Sequence, residues 1–208
     1  AQRLALMLQN QTEEEFADSR FQVLSELTRL RQLCCDPALV YENYEGGSAK
    51  LDLCIELIQS AVESGHKILL FSQFTSMIEI LTARLQEESI SCFVLQGSTK
   101  KEQRAQMVEQ FNRDDTSVFC ISLKAGGTGL NLTGADIVIH YDPWWNVAVE
   151  NQATDRAHRI GQKNVVTVYK LIAKGTIEEK IIKLQQMKKE LAEEILSGDE
   201  IKTASFQR

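Results

Sequence analysis

The chain has 208 residues, with 23 Lys and Arg against 29 Asp and Glu, for a net charge of -6. That length can bury a sizeable core as one domain with appendages, and a 43% hydrophobic content belongs to a globular fold, not a disordered one. The acidic excess argues against a protein that coats nucleic acid by bulk attraction, while leaving room for a local basic cleft.

Residues 1–33 are expected to be helical, with Phe21, Leu24, Leu27 and Leu30 on one stripe and Pro37 ending the run. The opening AQRLALMLQN already reads as mid-helix, the pattern of a piece of a longer protein. YENYEGGS (41–48) reads as a loop and divides an N-terminal helical appendage, 1–47, from a main domain, 48–174. Ser48 is a candidate N-cap for a helix that Gly65 stops.

The pattern then changes. KILLFS (67–72), SCFVLQ (91–96), SVFCIS (117–122), DIVIHY (136–141) and VVTVYKLI (165–172) are short apolar runs that predict strands. Between them, 75–88, 100–112 and 147–158 predict helices, and 177–196 predicts a long closing helix within a C-terminal segment, 175–208. Alternation of this kind implies an α/β fold with a mostly parallel sheet covered by helices on both faces. Ligands of such sheets sit at the carboxyl ends of the strands, where SQF, QGST, LKAGGTGLN and DPWWN fall.

No apolar run reaches membrane-spanning length and no signal peptide opens the chain, so no membrane partner is expected. Five cysteines with no C-x-x-C fit a reduced cytoplasmic setting, and the three histidines lack ligand spacing to them, so no metal site is expected.

Four stretches carry chemistry. SLKAGGTGLNL (122–132) follows a strand, and Gly126, Gly127 and Gly129 can form a phosphate-binding nest with Lys124 beside it; a tight turn is the plainer alternative. No G-x-x-x-x-G-K-[ST] occurs anywhere, and Leu132 stands where a G-x-G-x-x-G would need its third glycine. In QGSTKKEQR, Ser98 and Thr99 precede a predicted helix, as phosphodiester contacts or as a plain cap. In DPWWN, Trp144 is expected to pack, while Trp145 is open to packing or to a nucleic-acid contact.

QATDRAHRIGQ (152–162) sets Arg156 and Arg159 three apart, on one face of the predicted helix, with Gly161 breaking it. Arginine suits bidentate phosphate binding; a solvated face paired with Glu150 and Asp155 is the alternative. Five Lys or Arg and no acid lie between Arg156 and Lys174.

SLKAGGTGLNL, DPWWN and QATDRAHRIGQ, in this order, resemble motifs V and VI and the segment between them in Swi/Snf-type ATPases of helicase superfamily two. KILLFSQF resembles motif IV, LQGST the motif after it, and LTRLRQLCCDP the helical protrusion that precedes this lobe; the wording is that of a bacterial member. The resemblance covers residues 48 to about 196 and implies the second RecA-like lobe of a two-lobed, DNA-dependent ATPase that translocates on duplex DNA. ATP with Mg2+ would then be held mainly by an N-terminal lobe of the same protein, which accounts for the missing cradle.

The resemblance further implies Arg156 and Arg159 as arginine fingers, with Gln152, Asp155, Gly127 and Gly129 supporting the ATP site. Ser72, Gln73, Ser98, Thr99 and Lys124 would grip the DNA backbone, Trp145 would approach the minor groove, and the last helix would brace the lobes. A DNA-associated protein complex is a further partner it allows. Two rival readings stand beside it: a nucleic-acid- or protein-binding module without ATP chemistry, and a lobe of a strand-separating helicase.

Overall fold

The computed structural model describes residues 13–122 and 130–205. Helix α1, Glu13–Cys35, ends where Asp36 caps a 3-10 turn at Pro37–Leu39. Then follow α2 (Ala49–Glu63), β1 (Ile68–Ser72), α3 (Thr75–Glu87), β2 (Cys92–Leu95), α4 (Lys101–Arg113) and β3 (Val118–Ser122). β4 (Ile137–His140), α5 (Val147–Thr154), β5 (Thr167–Lys170) and α6 (Ile177–Ser205) complete the order. Ser48 caps α2 through its side chain, as its position predicts, and Gly65 leaves that helix at φ +81.

The five strands form one parallel sheet in the order β2-β3-β1-β4-β5. All five β1 residues are buried, because a parallel sheet covered on both sides leaves no solvent face. Alternate residues of β1 to β4 therefore serve different cores, while the edge strand β5 is exposed along its length. Ile68, Leu70, Val118, Cys120, Ile137 and Ile139 meet Cys54, Ile55 and Ile58 of α2 and Met77, Ile78, Leu81 and Leu85 of α3. Leu69, Phe71, Phe119, Ile121 and Val138 face the other way, onto Phe111 of α4 and Ala153 of α5. Each fully buried large apolar side chain contributes roughly 1.5–3 kcal/mol. The expected α/β architecture, with helices on both faces, is the one observed.

Two boundaries and one apolar stripe differ from expectation. α5 ends at Thr154, not at 158, because the chain turns at Asp155 and the 155–162 segment forms successive turns. α6 runs nine residues past the expected 196. On α1, Phe21 (77% exposed), Leu24 and Leu30 stand clear of the other described residues, and Leu27 of the same stripe is half-buried. The last turn of α1 behaves otherwise: Cys35 is fully buried in the α2/α3 core and Arg31 is buried with it. Among the described residues no helix is long and apolar enough to cross a membrane.

Candidate nucleotide and nucleic-acid interface

The arginine turn is built from the α4/α5 core outward. Ala153 and Ala157 are buried there, small enough to let the turn lie close to the sheet. The backbone N–H of Leu132 donates to the Arg156 carbonyl at 2.9 Å, tying the turn to the end of the glycine-rich segment. Gln162 closes it, its amide donating to the carbonyls of Ala135 (2.7 Å), Ala157 (3.1 Å) and Thr133 (3.2 Å), while its Oε1 accepts from the Asn164 N–H at 3.0 Å. Gly161 sits at φ +106, a conformation that any Cβ strains.

The two arginines have different surroundings. Arg156 is 3% exposed and its guanidinium lies 5.5 Å from the centre of the Phe71 ring. Burial, then the neighbouring Arg159 charge, pulls its pKa down to about 10, so it stays charged at neutral pH. Arg159 is exposed, donates from Nε to the Asp155 carbonyl at 3.3 Å, and makes no ion pair among the described residues. The expectation of two arginines on one helical face is corrected: the helix has already ended, and Arg156 and Arg159 stand on consecutive turns. Gln152 and Asp155 are both exposed beside them.

Glu150 is not their counter-ion. It is 1% exposed and accepts from the Trp144 N–H (2.8 Å), Lys170 Nζ (2.9 Å) and the Gln185 amide (3.3 Å). Lys170 is thereby neutralised and drops out of the basic run read from the sequence.

At the carboxyl end of the sheet, Asp142 is the organising group. It is 2% exposed and accepts from Ser72 Oγ and Gln73 Nε2, each at 2.5 Å. Burial pushes its carboxyl pKa up, and the bonds from Ser72 and Gln73 oppose that rise. Ser72 and Gln73 are therefore buried and turned inward, with their polar atoms committed to Asp142. Ser98 is exposed; Thr99 is half-buried, its Oγ1 accepting from the Gln96 N–H at 3.1 Å. Lys100, not Ser98 or Thr99, caps α4, and it does so without a side-chain bond. Arg104 holds this loop through the Thr99 (2.7 Å) and Gly97 (3.1 Å) carbonyls. Lys124, Gly127 and Gly129 lie outside the described residues.

Trp144 packs against the α4/α5 core, as expected. Trp145 is half-buried, with the Arg31 guanidinium 5.4 Å from its ring centre. Among the described residues no group of three or more His, Cys, Asp or Glu is placed to hold a metal ion. The exposed guanidinium of Arg159 fits a supporting contact to a polyphosphate; nothing among the described residues would seat the magnesium itself. Sequence reasoning missed Arg31, Asp142, Glu150 and Gln162. Arg31, Asp142 and Gln162 carried a signal, since each falls inside a motif-like stretch, and Glu150 entered only as a partner for the arginines.

The helicase conserved C-terminal domain model matches residues 49–161. A putative ATP-dependent helicase/translocase, YwqA, of Bacillus subtilis (strain 168) is 45% identical over 184 residues, covering 85% of this chain and 20% of that protein. The chromatin-remodeling ATPase INO80 of Homo sapiens is 45% identical over 156 residues, covering 74% of this chain and 10% of that protein. Among solved structures, the Sulfolobus solfataricus SWI2/SNF2 ATPase core in complex with dsDNA aligns with a TM-score of 0.75 and 33% identity, covering 95% of this chain and 42% of that one. The chain spans a fifth or less of the length of these curated relatives.

Proposed function

The chain belongs to the helicase conserved C-terminal domain family, as a Swi/Snf-type second RecA-like lobe, and from that premise we propose that it is half of a DNA-dependent ATPase motor. Arg159, with Arg156 behind it, serves as an arginine finger for ATP and Mg2+ seated mainly on a first RecA-like lobe. Such a group stabilises charge that develops in phosphoryl transfer and is worth about 10³–10⁵ in rate. The observation that carries this reading is the exposed Arg159 guanidinium, without an ion pair among the described residues and fixed by a turn that the buried Arg156 and the half-buried Gln162 build.

Gln152 and Asp155 support that site, together with Gly127 and Gly129. Ser98, Thr99 and Lys124 contact the DNA backbone, Trp145 approaches the minor groove, and the Ser72–Gln73 turn acts through the loop that Asp142 holds rather than through its own buried side chains. Residues 1–47 form a protrusion and 175–208 a brace. Backbone contacts of this kind give sequence-independent binding with steep salt dependence. In a binding module without ATP chemistry the same guanidinium would meet a nucleic-acid phosphate, and ATP turnover separates the two readings.

The test is ATP turnover by the full-length protein with and without duplex DNA, beside the 208-residue chain alone. DNA-stimulated turnover is expected from the first and none from the second. Turnover by the isolated chain would refute the shared site.

A further inference from the structure

Pro143, Trp144 and Trp145 are gripped from outside the α/β repeat. From α6, the Gln185 amide donates to the Trp144 carbonyl. From α1, Arg31 Nη2 donates to the Pro143 carbonyl at 3.1 Å, and its guanidinium sits between the Phe74 ring (5.6 Å) and the Trp145 ring (5.4 Å). Arg31 is 6% exposed, and Asp142 lies near enough to act on its charge. Burying a guanidinium is costly, and an aliphatic side chain would fasten α1 to the lobe without that cost. What the arginine adds is directional: one bond to the loop backbone and one flat face for the indole.

We propose that Arg31 is a positioning residue that holds the Trp145 indole for contact with duplex DNA, an assignment that rests on the reading of Trp145 as a DNA contact. Arg31 fixes the loop at Pro143 and stacks on one side of the ring. Glu150 and Gln185 fix Trp144, Gln73 shares the Pro143 carbonyl at 3.4 Å and Asn146 caps α5, while Arg31 is the group that meets the Trp145 ring itself. An anchor that merely attached α1 would alter stability without singling out the DNA step.

The experiment is a double-mutant cycle in the full-length protein, reading KM for duplex DNA and kcat in steady-state ATP hydrolysis. The variants are Arg31→Met, Arg31→Lys, Trp145→Ala and the Arg31→Met/Trp145→Ala pair. Arg31→Met and Trp145→Ala are each expected to raise the DNA KM by about tenfold, and the pair no further than Trp145→Ala alone. The fall in kcat at saturating DNA should be under about threefold, and Arg31→Lys should lie between wild type and Arg31→Met. Multiplying effects in the pair, or an unchanged DNA KM in Arg31→Met, would overturn the assignment. An unchanged KM in Trp145→Ala alone instead removes the reading of Trp145 as a DNA contact, and the assignment with it. If Arg31→Met does not fold, Arg31→Lys runs the same cycle.

Discussion

Arg156 and Arg159 are three residues apart, yet Arg156 is buried over the Phe71 ring while Arg159 stands in solvent. The two should therefore fail differently. In the full-length protein, Arg159→Ala is expected to cut DNA-stimulated ATP hydrolysis by about 10³-fold while leaving DNA affinity and the melting temperature near wild type. Arg156→Ala should lose activity and also lower the melting temperature, because it empties a buried space against Phe71. Parallel turnover and melting measurements separate them; undiminished turnover in Arg159→Ala would end the finger assignment.

Glu150 joins α5, β5, α6 and the Trp144 backbone through one carboxylate. Glu150→Ala leaves the Trp144 N–H without its acceptor and takes one partner each from the half-exposed Lys170 ammonium and the Gln185 amide, and should cost about 1–3 kcal/mol. Chemical denaturation of the variant measures this. A loss below about 0.5 kcal/mol would show that water replaces the carboxylate.

His140 is 1% exposed, stacked on Phe71 with ring centres 5.4 Å apart, and bonded through Nε2 to Thr154 Oγ1 at 3.0 Å. Burial pulls its pKa from 6.5 down to about 4. Between those values the unfolded chain binds the proton and the folded one does not, so stability falls as pH drops from 6.5 toward 4. Asp142, whose pKa is raised, slopes the opposite way. The informative quantity is thus the difference between wild type and His140→Gln, expected to change by about 2–3 kcal/mol across that window. Parallel profiles would contradict it.

Gly161 holds φ +106, and a Cβ added there would meet nothing within 4 Å, so Gly161→Ala brings strain without a clash. A cost of about 1–2 kcal/mol is expected, with hydrolysis reduced because the arginine turn shifts. Gly47→Ala, which also meets nothing within 4 Å and carries no positive φ, should be silent in both assays.

The fold was legible because five apolar runs alternate with amphipathic segments, a period that leaves few arrangements. The end of α5 was not, since Asp155, Arg156 and Ala157 suit a helix locally and the turn is favoured by bonds between segments far apart in the chain, from Leu132 to the Arg156 carbonyl and from Gln162 to the Thr133 and Ala135 carbonyls. The inward rotation of Ser72 and Gln73 was hidden for a like reason: their partner, Asp142, lies about seventy residues away. Arg31 lies in a helix where Phe21, Leu24 and Leu30 face solvent, so its place in the helical pattern does not distinguish it from a surface cation.

The sheet divides the apolar interior into two compartments, because neighbouring residues of β1 to β4 point to opposite sides. Substitutions in the two compartments lie across a layer of backbone and should add nearly independently. A substitution in the compartment against α2 and α3 thus lowers global stability while the arginine turn, seated in the other, keeps its shape.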